Sequence, residues 1–490
     1  MFINDESRHP HKKESKMNTW NNFGVGLPLA SDSYKANHWN QYPEGTQYIS
    51  SYLEARGSKL ADFTIFFGLQ YYLKQYLSGS IITKELVDQA EVFWNEHLGP
   101  GAFSKEKWMH IVDNHQGKLP IRIKAVKEGT KVGLHNVLMV IENTDPECFW
   151  LTNFIETLLM KVWYPTTIAT HSYICKQKIM EYLEKTGTPE SIDFRLHDFS
   201  YRSCTAEEQA AIGSASHLIH FKGTDTVAGI WFARKIYNTN DMIAFSVPAS
   251  EHGIVLSFGG EEHEIEYFRN MLLKYSTGIV SIVSDTYHIL NAIDKFGELK
   301  DIIMNREGTL VVRPDSGDPA MTDLMVIEKL GTIFGFEVNE EGYKVLDSHV
   351  RIIQGDGVNL ESIEHILKLL ESKGWSADNI TFGCGTKLMQ EFSRDTFNFA
   401  IKASKVIVNG ETRNVEKHPT EIDEFGNLHQ SFKKSKKGDL KLVKIVDGYK
   451  TLTSLDEGFA EAEDSLVTVF ENGEVLKEYS FEEVRENAKI

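Results

Sequence analysis

Leu310-Val311-Val312-Arg313-Pro314-Asp315-Ser316-Gly317 sets a short apolar run against an abrupt polar tip. The run has the length and β-branching of a buried strand, and the tip ends it with a cation, an anion and turn residues. The same grammar recurs along the chain. The run 192–196 leads to His197, Asp198 and Arg202, and 217–221 leads to Gly223-Thr224-Asp225. The run 244–247 precedes Glu251 and His252, and 279–283 precedes Asp285. Runs 350–353 and 380–382 end at Gly355-Asp356-Gly357 and Gly383-Cys384-Gly385. A parallel α/β barrel gathers reactive groups at the C-terminal ends of its strands, because the βα loops converge on one mouth there. Seven such tips predict a parallel barrel at 190–400.

Helical patterns separate the runs, as βα units require. Segment 205–215 opens with Thr205 and has Glu208 three residues on, which predicts a capping box. Segments 261–273, 321–330 and 360–371 also have helical spacing, and 406–408 is an eighth strand able to close the barrel. Before the barrel, 18–150 reads as sheet-rich, with strands at 49–54, 121–126 and 138–142 and a helix at 83–97. Two amphipathic helices, 149–163 and 168–185, joined through Pro165, make a helical connection over 151–189. After the barrel, strands at 440–446 and 465–470 in 401–490 are expected to rejoin the N-terminal strands in one sheet-rich domain. The first 17 residues are polar and read as a disordered head, with Met17 as an internal start.

Composition narrows the function. The 490 residues suit two large domains or three smaller ones, and 41% hydrophobic with 25% charged residues is ordinary for a soluble protein. A net charge of −18 repels nucleic acid and anionic lipid, so neither is an expected partner, and an anionic ligand needs a local Arg/Lys cluster. Cys148, Cys175, Cys204 and Cys384 are widely spaced, which suggests neither a zinc knuckle nor a disulfide framework and fits a reducing cytosol. No apolar run reaches the roughly 18 residues a membrane span needs. A cytoplasmic protein is expected.

Each candidate side chain has a plain structural reading beside a chemical one. Pro314-Asp315-Ser316-Gly317 is a common turn, yet Arg313 offers a fork for phosphate or a carboxamide oxygen, and Asp315 suits ribose hydroxyls. Gly355-Asp356-Gly357 and Gly383-Cys384-Gly385 bring backbone N–H groups to a ligand or simply turn the chain. Leu388 stands where a dinucleotide fingerprint wants glycine, and no Walker loop is present. His252, beside Glu251, is either structural or a nucleophile or base. Asp225 either caps a helix starting at Thr226 or faces a ligand. Asp198, Asp285, Asp315 and Asp356 together suit Mg²⁺ held through water, although Asp285 serves equally as a cap. Lys433, Lys434, Lys436 and Lys437 form a solvated loop or a flap over a polyanion.

In order along the chain, several segments resemble the nicotinamide phosphoribosyltransferase family of type II phosphoribosyltransferases. They are Asp32-Ser33-Tyr34-Lys35 with Gln41-Tyr42-Pro43, His197-Asp198-Phe199-Ser200-Tyr201-Arg202, and Phe221-Lys222-Gly223-Thr224-Asp225-Thr226. Ser246-Val247-Pro248-Ala249-Ser250-Glu251-His252, Val283-Ser284-Asp285, Arg313-Pro314-Asp315-Ser316-Gly317, Gln354-Gly355-Asp356-Gly357 and Ser435-Lys436-Lys437-Gly438 continue the match. The resemblance runs from about Leu29 to the C-terminus. It implies transfer of a phosphoribosyl group from phosphoribosyl pyrophosphate to nicotinamide, with Mg²⁺, and with ATP as an activating co-substrate that phosphorylates His252.

It also implies roles for individual residues. Phe199 stacks on the pyridine ring, with Tyr34 of a neighbouring subunit on its other face in a homodimer with shared sites. Asp225 and Arg313 bind the carboxamide. Asp315, Gly355, Asp356, Gly385, Thr386 and Arg394 line the ribose-phosphate site. Arg56, Arg202, His252, Arg313, Lys402 and Lys417 face pyrophosphate, and His252, Arg313 and Asp315 are the expected catalytic set. The metal ligands stay open, with Asp285 or Asp356 as options through water. Two departures from the family stand out: Thr386 and Lys387 follow Gly385 where further glycines are usual, and Ala400 replaces a small polar residue. Rival readings are a nicotinate phosphoribosyltransferase of the same fold, a Mg²⁺-dependent sugar-phosphate lyase, and a non-catalytic signalling or scaffold protein.

Overall fold

The computed structural model describes residues 26–423, 425–430 and 434–489. The expected disordered head and Lys433 lie outside them. Two apolar cores organise the chain. One fills the space behind a seven-stranded antiparallel sheet, and the other surrounds a curled six-stranded parallel sheet.

The parallel sheet is the predicted barrel. Strands Leu196–Asp198, Gly223–Thr224, Val280–Val283, Leu310–Arg313, Val350–Gln354 and Ile380–Cys384 all run parallel. Val312, Ile352 and Phe382 are buried, and each is worth about 1.5–3 kcal/mol of apolar transfer. Segment 245–250 spans the two edges. Phe245 bridges Gly223 and Ala249 bridges Ser281, so seven positions follow one another around the ring in chain order.

Four sequence expectations fail here for identifiable reasons. The eighth strand is not needed, because Phe382, Gly383 and Cys384 pair with Leu196, His197 and Asp198 and close the ring at its first strand. Instead, the proposed 406–408 strand belongs to Ala400–Val408, antiparallel to Thr46–Glu54. The apolar run 217–221 is not a strand. Helix Glu207–His217 ends there, buried among small residues, and His217 Nδ1 lies 3.0 Å from Ser172 Oγ. A short apolar run cannot by itself distinguish a buried helix end from a strand. The run 244–247 forms only the bridge at Phe245. Finally, the Thr205 capping box is absent: Ala206 is the N-cap, Thr205 bonds Gln209, and Glu208 accepts from the hydroxyls of Tyr71 and Tyr76.

The antiparallel sheet draws on both ends of the chain. Its order is Glu411–Asn414, Ala400–Val408, Thr46–Glu54, Val137–Asn143, Ile121–Ala125, Val467–Glu471 and Glu474–Val475. The expected strand at 440–446 stays outside this sheet. Leu440–Ile445 pairs with Gly448–Thr453 as a separate hairpin, and Thr451 Oγ1 accepts from the Val137 N–H at 2.8 Å. Pro165 does not join two helices either. It sits in the first turn of one long helix, Trp163–Thr186, where a missing N–H costs nothing, while 151–162 breaks into single turns. Among the described residues no helix is long and apolar enough to cross a membrane.

Candidate active site

The first strand tip begins with a fully buried acid. Asp198 accepts the Ser200 N–H at 2.8 Å, the Ser200 hydroxyl, and the Thr224 hydroxyl at 3.0 Å. Its backbone carbonyl accepts the Asp225 N–H at 2.9 Å. Asp198 therefore locks two neighbouring tips together.

Phe199 follows, with its N–H on the Cys384 carbonyl at 2.9 Å and its ring 5.0 Å from that of His197. The ring packs directly against Gly383. A Cβ there would stand 2.0 Å from Phe199 Cε2, so glycine is required for close approach. Asp225 stands beside this platform. Its Oδ1 accepts from His197 Nε2 at 3.0 Å and from the Ser246 hydroxyl, and Oδ2 has no such partner among the described residues. Burial pushes its pKa up, but the His197 and Ser246 bonds and the charge of Arg313 outweigh that and hold it below the usual range. Asp225 is not a helix cap: helix Val227–Ile236 has Thr226 at its N-cap without a side-chain bond.

A second cluster surrounds His252, the first residue of helix His252–Leu256. Its acid partner is Asp285 rather than the adjacent Glu251, with Nε2 3.0 Å from Asp285 Oδ1. The other Asp285 oxygen accepts the Asp315 N–H at 3.0 Å and the Ser316 hydroxyl at 2.6 Å. Asp285 is not a cap either; His288 caps the helix Ile289–Glu298. Arg313 buries its Nε without a partner, as a donor waiting for a ligand does. Gly355 packs on it: a Cβ there would meet Asp315 Oδ1 at 3.0 Å and Arg313 Cδ at 3.5 Å. Burial raises the Asp315 pKa; Arg313 and His252 oppose that, while Asp285 and Asp356 add to it. Phe199, Asp225, His252, Asp285, Arg313, Asp315, Gly355 and Asp356 thus belong to one mouth.

The remaining predicted residues distribute around it. Arg202 is exposed on the turn Tyr201–Ser203, with no hydrogen bond or ion pair among the described residues. Thr386, after Gly385, shares a hydroxyl contact of 2.9 Å with Ser203. Lys387 pairs with Glu391 at 3.1 Å, and Arg394 with its neighbour Asp395 at 3.0 Å. The four acids proposed for Mg²⁺ do not converge to direct-ligand distances among the described residues.

Among the described residues Tyr34, Arg56, Lys402 and Lys417 make no contact with the Phe199–Arg313 mouth within one chain, and Tyr34 is 60% exposed. The last three belong to a cationic cluster on the antiparallel sheet. Arg56 pairs with Glu54 at 2.7 Å but leaves Nη2 buried without a partner. Among the described residues Lys402 Nζ donates only to the Ile401 carbonyl, at 2.8 Å. Burial lowers its pKa, and Arg56, Lys417 and Lys35 lower it further against the pull of Glu156. Lys436 joins the same cluster through Glu54 and through its N–H on Tyr52 Oη at 2.6 Å. Crowded, under-neutralised cations of this kind fit a polyanion.

Residues 194–451 match the model of the nicotinate phosphoribosyltransferase family, and residues 26–123 match the nicotinamide phosphoribosyltransferase N-terminal domain. The chain is 43% identical over 472 residues to a nicotinamide phosphoribosyltransferase of Xanthomonas campestris, covering 94% of this chain and 98% of that one. The chain belongs to the nicotinamide phosphoribosyltransferase family. A protein of the same description from Acinetobacter baylyi is 36% identical over 502 residues, covering 95% and 97% of the two chains. Two solved structures share the fold. The Pyrococcus furiosus nicotinate-nucleotide pyrophosphorylase has a TM-score of 0.58 at 14% identity, covering 98% of this chain and 97% of its own. Human nicotinic acid phosphoribosyltransferase has a TM-score of 0.55 at 15% identity, covering 94% and 92%. The chain is thus a phosphoribosyltransferase.

Local spacing did not reveal that His197 and Ser246 both bind Asp225, or that Asp285 is the partner of His252. Each depends on side chains that different tips bring together, which no local spacing records.

Proposed function

We propose that this enzyme transfers the 5-phosphoribosyl group of phosphoribosyl pyrophosphate to nicotinamide, giving nicotinamide mononucleotide and pyrophosphate in NAD salvage. The observation that carries this reading is Asp225. A carboxylate held ionised beside an aromatic platform, with one oxygen open, accepts from a carboxamide NH₂ and repels the carboxylate of nicotinate. Arg313 donates to the carboxamide oxygen, and Phe199 carries the ring. Asp315 holds the ribose hydroxyls, while Gly355, Asp356, Gly385, Thr386 and Arg394 surround the sugar phosphate.

As the C–N bond forms at the anomeric carbon and the C–O bond to pyrophosphate breaks, positive charge builds on the sugar and negative charge on the leaving group. Arg202, Arg313 and the Arg56, Lys402 and Lys417 cluster stabilise the latter. Among the described residues that cluster makes no contact with the mouth of its own chain, so a homodimer pairing one chain's mouth with its partner's sheet completes the site and brings Tyr34 over Phe199. Asp356 and Asp315, whose carboxylates accept no hydrogen bond from the described residues, suit water-mediated Mg²⁺ far better than Asp285, whose oxygens are both engaged. Bound there, Mg²⁺ would neutralise pyrophosphate charge.

ATP coupling runs through His252. With Nε2–H donated to Asp285, Nδ1 keeps its lone pair for the γ-phosphorus, and ADP leaves. The cytoplasm is the proposed location, in keeping with four free thiols. Purified protein offered phosphoribosyl pyrophosphate with nicotinamide or with nicotinate, with and without ATP, tests the reading. Nicotinamide mononucleotide formed in preference to the nicotinate product, faster with ATP, is expected; equal use of both bases overturns it.

A further inference from the structure

Outside the barrel, four side chains of metal-ligating type converge beside the antiparallel sheet. His110 and His115 come from helix Lys105–His115, Asp145 follows strand Val137–Asn143, and Cys148 ends the turn Pro146–Cys148. One ligand atom from each lies within 4.8 Å of all the others. The Nε2 atoms of His110 and His115 both approach Asp145 Oδ2, at 2.8 and 2.5 Å. Asp145 Oδ1 is fixed by the Glu147 N–H at 2.8 Å, and Asn114 Nδ2 stands 3.0 Å from His110 Nδ1. Cys148 is a free, fully buried thiol. Nothing in phosphoribosyl transfer uses these residues.

We propose that His110, His115, Asp145 and Cys148 form a tetrahedral zinc site separate from the phosphoribosyl-transfer site. Two imidazoles, a carboxylate and a thiolate are a donor set zinc accepts, at about 2.0–2.3 Å from the ion. A tetrahedron of that size spaces its ligand atoms about 3.3–3.8 Å apart. The four atoms already lie within a 4.8 Å span, so closure asks only for side-chain adjustment. The sulfur disfavours Mg²⁺ and Ca²⁺, which take oxygen donors.

On binding, the Cys148 thiol gives its proton to solvent. The two imidazoles turn from Asp145 to the ion, and their Nε2 protons pass through solvent to Nδ1. Asn114 then turns its amide to offer Oδ1 to His110, the outer contact that orients a ligating histidine. His115 borders a cleft of about 450 Å³ with Gln116, Lys118 and Glu471, which gives the ion a way in. The bound ion would staple the 105–115 helix to the sheet and stabilise the folded chain.

The test is titration of the metal-stripped full-length protein with Zn²⁺ against a chromophoric chelator, and with Co²⁺ followed by absorption. Wild type is expected to bind one more Zn²⁺ than His115→Ala or Cys148→Ala, and zinc to raise the Tm of wild type alone. The cobalt form should show a thiolate-to-metal charge-transfer band that Cys148→Ala lacks, and Asn114→Ala should weaken the site about tenfold. Phosphoribosyl transfer by each variant reports its folding. If the alanine variants do not fold, the wild-type cobalt spectrum decides alone. Equal zinc uptake by wild type and folded variants, or no thiolate band in wild type, overturns the site and leaves a hydrogen-bonded His-Asp-His cluster.

Discussion

Asp285 holds His252 with one carboxylate oxygen, 3.0 Å from Nε2, and the Asp315 N–H with the other, also at 3.0 Å. One buried acid therefore sets both the tautomer of the histidine and the position of the ribose-binding tip. Asp285→Asn removes the charge while keeping the shape. A hydrogen bond to a charged group is worth about 1.5–3 kcal/mol, so ATP-stimulated turnover should fall roughly 10- to 100-fold. Phosphohistidine formation from labelled ATP should fall in parallel. Turnover that keeps its full ATP stimulation would detach Asp285 from this role.

Asp225 decides between amide and acid. In Asp225→Ser a hydroxyl can still accept from His197, but the anion facing the base is gone. Nicotinate turnover should rise about 10-fold or more while nicotinamide kcat/KM falls, as expected when a like-charge juxtaposition is removed. Competition between the two bases for phosphoribosyl pyrophosphate measures the ratio directly. An unchanged ratio would place selectivity elsewhere.

Gly383 has no room for a methyl group, because Phe199 Cε2 occupies the place of a Cβ. Gly383→Ala must displace the ring and tilt the stacking platform away from Asp225. KM for nicotinamide should rise by about tenfold or more, since misplacement of a binding surface by about 1 Å is that costly. Far-ultraviolet circular dichroism should stay near wild type, because the strand register with His197 needs only the backbone.

The barrel was legible because its strands are short, apolar and capped by charge. Leu310–Arg313, Val350–Gln354 and Ile380–Cys384 each end within two residues of the predicted runs. The reading broke where burial hid the period. The run 217–221 shows no period because all five residues, His217 and His220 included, are buried where helix Glu207–His217 ends. Thr205 and Glu208 have cap spacing, yet two tyrosine hydroxyls claim Glu208. Closure of the ring by Ile380–Cys384 on Leu196–Asp198 is a long-range pairing, so nothing local argued against an eighth strand at 406–408. For the same reason Glu251, adjacent in sequence, concealed the true partner of His252.

The split between the barrel mouth and the Arg56–Lys402 cluster predicts complementation between two inactive chains. Arg313→Ala and Lys402→Ala should each lose most activity alone. In a co-expressed heterodimer with shared sites, one of the two sites combines an intact mouth with an intact cluster. Random pairing should then recover about a quarter of wild-type specific activity. Sites complete within one chain would recover none.

Acid should destabilise the fold through histidines that have no room for charge. His171 and His217 are fully buried, and burial lowers both to about 4; His220 is also lowered by burial, with the charge of Lys176 adding to it. Unfolded, each titrates near its ordinary value of about 6.5. Between those limits the unfolded chain binds more protons, so stability is intact above about pH 6.5 and drains as pH falls toward 4. Each group contributes a slope of up to about 1.4 kcal/mol per pH unit across that window. Urea midpoints measured from pH 7.5 to 4.5 should fall steadily, and His171→Gln, which keeps a polar ring-sized side chain without the titration, should flatten the slope. A variant with the wild-type slope would acquit His171 and shift the burden to His217 and His220.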